Sequence, residues 1–105
     1  MGTQARRLKL HEQLCDILGS RNVYYQPPAS VKMKYPAIVY SRDTNRKFNA
    51  DNKKYLSYDS YTLTFICLDP DSDIPDKIDD SFSMIRRQTR YVVDGLYHDP
   101  YYLYF

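Results

Sequence analysis

Between Gln4 and Leu18 the positions Leu10, Leu14, Ile17 and Leu18 recur at helical spacing, and Leu8 and Cys15 widen the stripe. Gly19 follows, where a helix end wants a residue free to take positive φ. A first helix is predicted. The period then changes. "NVYYQPP" reads as a short strand stopped by Pro27 and Pro28, which have no N–H to give a ladder. "YPAIVYSR" reads as a buried strand with Pro36 at its first position. From Tyr55 to Leu68 the chain alternates. Tyr61, Leu63, Phe65 and Cys67 face one way and Thr62 and Thr64 the other, until the end becomes apolar on both sides.

Beyond residue 73 the helical period returns. Ile74, Ile78, Phe82 and Ile85 lie at i, i+4, i+8 and i+11, one face of a second helix. Ser72 or Asp73 can cap its first amides, and Pro75 is tolerated in the first turn. Asp76, Asp79 and Asp80 fall near the positive end of the helix dipole, with Arg86, Arg87 and Arg90 at or beyond the negative end. "TRYVVDGLY" then reads as a strand entering an Asp94-Gly95 turn, and "PYYLYF" as a last strand. The order α-β-β-β-α-β-β predicts a single α+β domain over residues 1–105. Its mostly antiparallel sheet has four to five strands, with two helices packed on one face.

Composition sharpens this picture at two points. Twelve tyrosines against three glycines favour sheet and surface intended for contact, because tyrosine joins an apolar body to a hydroxyl that wants a partner. Residues 69–80 hold six aspartates and one lysine, a net of −5, while the remainder holds fourteen Lys or Arg against seven acids, a net of +7. So polarised a chain can attract copies of itself head to tail, or lay its basic part on nucleic acid. Cys15 and Cys67 fit no metal or redox spacing and read as reduced core thiols of a cytosolic chain. No apolar h-region follows Arg6 and Arg7, and apolar runs such as "FICL" are too short to span a membrane.

Candidate sites divide by chemistry. Asp69, Asp71 and Asp73 occupy the first, third and fifth places of a calcium loop. The sixth place, which needs glycine for the sharp turn, holds Ile74, and the twelfth holds Asp80 instead of glutamate. They are weak metal candidates beside the simpler reading of an acidic helix start. His11 and Cys15, four apart on the first helix, are two ligands without a second pair. Neither a G-x-S-x-G elbow, nor a phosphate-cradling glycine loop, nor an H-E-x-x-H motif is present, so the reading is of a non-enzymatic chain without a cofactor.

The stretch "DTNRKFNADNKK" is polar and basic, and predicts a hairpin loop or the tip of a protruding hairpin at about residues 42–55. Arg42, Arg46, Lys47, Lys53 and Lys54, with Phe48 and Tyr55, could track a phosphate backbone while the rings stack. Asp71, Asp73, Asp76, Asp79 and Asp80 are candidates for an acidic interface. In the closing strand Tyr101, Tyr102 and Tyr104 are candidates for an aromatic one, since its large residues cannot all face inward.

Three blocks, "NVYYQPPASVKMKYPAIVY", "YDSYTLTFICLDPDSDIPDKI" and an aromatic strand after "LYHDP", together resemble the tail-terminator, or head–tail joining, proteins of long-tailed bacteriophages. The similarity spans about residues 8–105, and "YPAIVY" and "DPDSDIP" are its most particular parts. It implies a compact α+β subunit in a ring, typically a hexamer, made in the host cytoplasm and placed in the virion at the head–tail junction. Such a ring caps the tail tube, stops its polymerisation, meets a head-completion or connector protein, and lets DNA pass non-specifically through its lumen. The basic hairpin would then face the lumen or the tube. Two alternatives stay open: a small nucleic-acid-binding module using that hairpin, or another neck or connector component of the phage. A metal-dependent enzyme around Asp69–Asp76 is weaker still.

Overall fold

In the computed structural model the backbone is described for residues 3–49 and 57–105, and the side chains for 4–43 and 59–105. Helix α1 (Thr3–Leu18) leads into strand β1 (Val23–Tyr25). Strands β2 (Ala37–Asn49) and β3 (Ser57–Cys67) follow, then helix α2 (Ile74–Ser81) and strands β4 (Ile85–Arg87), β5 (Tyr91–Val93) and β6 (Leu96–Tyr104). One sheet runs β1-β2-β3-β6-β4, with β5 also on β6. Every pairing is antiparallel except that of β1 with β2. The class is α+β.

Period-two alternation decides which face is covered. Ile38, Tyr40, Tyr61, Leu63, Phe65, Tyr101 and Leu103 share one face through the β2–β3 and β3–β6 registers, and all are buried. Leu10, Leu14 and Leu18 from α1 and Ile78 from α2 join them in a single core cluster, so both helices lie on that face. Leu8 does not belong to the stripe. It stands about 200° round the helix from Leu10 and is 50% exposed. Gly19, at φ +80°, closes α1 by giving its N–H to the Cys15 carbonyl, as expected of a left-handed C-cap.

The second helix is shorter than its apolar pattern. Phe82 is already extended at φ −127°, ψ 139°, and Ile85 pairs with Leu103 as the first residue of β4. Both side chains still pack on the core, which is why the helical period runs on past the helix. Two local facts favour the early stop: the Ser81 hydroxyl donates back to the Lys77 carbonyl, and the outer edge of β6 offers Ile85 a ladder. Arg86 and Arg87 are therefore strand residues, and the sheet has six strands among the described residues instead of four or five.

The edge beside β6 is broken in the middle. The Pro100 carbonyl accepts from the Gln88 N–H at 2.8 Å, so the side of Pro100 that lacks an N–H faces this edge and not β3. The chain pairs with β6 on either side of that point, as β4 and as β5, and leaves it between. Asp94 and Gly95, both at positive φ, turn β5 into β6 with Val93 opposite Leu96, a two-residue hairpin whose twist matches its strands. The β2–β3 hairpin carries a register shift between Asp43 and Lys47 and continues to Asn49 opposite Ser57.

Candidate assembly surfaces

The acidic segment starts where β3 leaves the sheet. The Asp69 carboxylate accepts the Asp71 N–H at 2.9 Å and holds a tight turn, while the Ser72 hydroxyl accepts the Ile74 N–H at 3.3 Å. Of the two residues expected to cap α2, serine does so. Asp73 makes no cap bond and pairs with Lys77 at 3.5 Å instead. Asp76 accepts from Arg87 at 3.0 Å. Both pairs are exposed and contribute on the order of 0–1 kcal/mol each. Asp71, Asp79 and Asp80 are exposed, with no ion pair among the described residues. Nor do Asp69, Asp71 and Asp73 converge as ligands: no group of three metal-binding side chains occurs among the described residues.

Beneath this turn lies a buried carboxylate. Asp99, only 1% exposed, receives the Arg90 guanidinium as a fork, Nε at 2.9 Å and Nη2 at 3.1 Å, with Arg87 at 3.8 Å. The third nitrogen of Arg90, Nη1, donates to the Pro70 carbonyl at 3.0 Å. One side chain thus joins β6 to the acidic turn, and the carboxylate raises the already high pKa of Arg90. Sequence reasoning missed this network. The signal was the strand period: Asp99 shares its face with Tyr101 and Leu103, and a carboxylate on a core face needs a cationic partner.

The aromatic candidates separate. Tyr101 is fully buried and donates its hydroxyl to the Pro75 carbonyl at 2.9 Å, so it ties α2 to the sheet and offers nothing to a neighbour. That assignment is corrected. Burial drives the Tyr101 pKa well above the ordinary phenol value. Tyr102 points to the uncovered face, 39% exposed, opposite Thr62 and Arg86. Tyr104 is half-buried, and its N–H bonds the Met84 carbonyl at 3.0 Å.

Of the basic hairpin, Arg42 is half-buried and its backbone N–H is taken by the Gln26 side chain at 3.2 Å. Arg46, Lys47 and Phe48 lie on the β2 backbone. Lys53, Lys54 and Tyr55 lie outside the described residues. Because β3 has eleven residues at about 3.3 Å rise, its Ser57 end and the acidic turn are separated by roughly 35 Å.

His11 and Cys15 do not make a metal pair. The His11 Nδ1 is hydrogen-bonded to the Tyr40 hydroxyl at 2.8 Å, and the Cys15 thiol is buried, which pushes its pKa up. Burial first, then Arg21 and Arg7, hold the His11 pKa below its ordinary 6.5, with Glu12 opposing. The unfolded chain then binds more protons than the folded one as pH falls through about 6.5, so this histidine lowers stability on acidification. Urea midpoints compared between about pH 5 and 8 should fall less steeply on the acid side in His11→Phe than in the parent.

A groove of about 430 Å³ lies between α1 and the segment joining α2 to β4. Arg6 and Lys9 line it together with Phe82, Met84, Tyr104 and Phe105. Arg6 also reaches Asp59 at 3.5 Å. No described helix is long and apolar enough to cross a membrane. No family model, curated protein or solved structure matches the chain.

Proposed function

We propose that this chain is a virion structural protein, a subunit that closes into a ring at the head–tail junction of a long-tailed bacteriophage. The ring caps the tail tube, stops its growth, meets the head's completion or connector protein, and leaves a lumen for DNA. One observation carries the reading. The acidic turn that follows Cys67 and the groove lined by Arg6 and Lys9 lie at opposite ends of strand β3, so each subunit has two unlike surfaces of opposed charge. A heterologous contact between unlike faces generates a closed ring when its rotation closes. Opposed charge favours encounter and register, and the half-exposed Tyr102 on the uncovered sheet face adds contact area. The resemblance in "YPAIVY" and "DPDSDIP" supplies the biological setting. No part of the proposed role requires chemistry.

Native mass spectrometry of the purified protein, alone and mixed with tail tubes, tests this. A defined oligomer, expected to be a hexamer, should appear in at least one condition. A monomer that ignores the tube overturns the proposal, and salt-dependent DNA binding without assembly would favour the nucleic-acid module instead.

A further inference from the structure

Five of the eight large hydrophobic side chains exposed among the described residues lie at one end of the sheet. They are Leu68, 69% exposed, Tyr35 beside it, and Tyr91, Val92 and Val93 of β5. The registers bring β5 to the end of the sheet where β3 leaves it, since Cys67 opposes Tyr97 and Tyr97 opposes Val92, and alternation sends Tyr91 and Val93 to the face opposite Val92. Asp69 beside Leu68 and Asp94 beside Val93 are exposed too, as is Asp71. Apolar exposure gathered within a polar rim marks a contact surface, whereas scattered exposure would not.

This end is also held rigid. The Asp69 carboxylate fixes the turn from within, and Arg90, seated on buried Asp99, grips the Pro70 carbonyl. Leu68 and Asp71 are therefore presented in one geometry before any partner arrives, which reduces the ordering cost of binding.

The Arg6–Lys9 groove has the opposite chemistry at the opposite end. Its wall residue Phe105 bonds the Asp59 carbonyl, eight positions along β3 from Cys67, or about 27 Å. The two surfaces cannot meet within one subunit. Between two copies they match: an apolar protrusion with an acidic rim against an aromatic groove with a cationic rim.

We infer that the turn bearing Leu68 and Asp71 docks into the Arg6–Lys9 groove of a second copy of this chain. The contact names the partner faces of the proposed ring and rests on that reading for its closure. Arg6 already serves Asp59, so Lys9 supplies the cation that meets Asp71 across the junction. Leu68 enters between Phe82 and Met84.

Lys9→Cys and Asp71→Cys are made in separate chains, both at exposed positions that leave the core intact, and the proteins are mixed under mild oxidation over a range of concentrations. A disulfide dimer should form in that mixture and be missing when Lys32→Cys replaces Lys9→Cys. The chain carrying both substitutions should give cross-linked oligomers, read alongside native mass spectrometry of the parent. A ring that forms without the cross-link overturns this interface and leaves the ring reading standing. The cross-link in open chains of no fixed size supports the interface and overturns the ring. A parent that stays monomeric both alone and with tail tubes, with cross-linking at the control level in both conditions, overturns both.

Discussion

Asp99→Ala is expected to destabilise the fold by about 3–5 kcal/mol, because it leaves the half-buried Arg90 without its counter-charge. For a domain of this size that lowers Tm by at least about 12 °C. The cause is an asymmetry. Arg90 gives two nitrogens to Asp99, and Arg87 lies 3.8 Å from the same carboxylate. Removing the anion leaves two partly exposed cations without the carboxylate they share and opens a cavity at a fully buried position. Exchanging both members, Asp99→Leu with Arg90→Met, should recover much of the loss, since an apolar pair of similar volume replaces a buried ion pair at little cost. Thermal and urea denaturation of the two variants decide the matter. A single variant within about 1 kcal/mol of the parent would mean that the pair contributes little.

Tyr101→Ala should cost about 3–5 kcal/mol in the isolated chain, the range for deleting a buried ring. Tyr101→Phe should cost about 1–2 kcal/mol, since it keeps the ring and leaves the Pro75 carbonyl without its donor. The difference between the variants isolates the ring from the hydroxyl. Urea midpoints of the unassembled protein are the right measurement. A surface tyrosine would move neither, whereas one joining α2 to β6 moves both.

These residues also mark where the sequence could be read and where it could not. Alternation from Tyr61 to Cys67 identified the core face of β3 because a half-buried strand writes its burial into every second position. Gly19 and the Asp94-Gly95 pair marked their turns because positive φ restricts which residues can serve there. The end of α2 was illegible for a physical reason. Phe82 and Ile85 belong to the same core as Ile78, and burial alone does not distinguish a third helical turn from a chain that leaves the helix and returns as a strand. Only the open ladder on β6 decides it, and that partner lies eighteen residues on, at Leu103.

The site was legible in parts. The acid run and the basic excess were plain from charge, but pairing is a property of space. Arg87 reaches Asp76 across eleven positions and Arg90 reaches Asp99 across nine, so charges that look unspent in the chain are already committed. Tyr101, Tyr102 and Tyr104 looked equivalent as letters. Their alternation carries Tyr101 inward and Tyr102 outward, and the register needed to see this follows from pairing with β3. The Arg6–Lys9 groove could not be foreseen, because α1, the 81–84 segment and the last strand contribute to it from three separate parts of the chain.

Pro100 has a consequence for what the protein avoids becoming. Had residues 85–93 paired with β6 without interruption, the sheet would end in a long strand offering a continuous row of backbone donors and acceptors, next to exposed valines. Such a row is a template on which further strands can add without limit, as in a fibril. By withholding one N–H, Pro100 leaves two stubs of three residues each, too short to seed that growth. That edge therefore presents side-chain surfaces, whose contacts saturate, in place of a continuous backbone row, whose contacts do not.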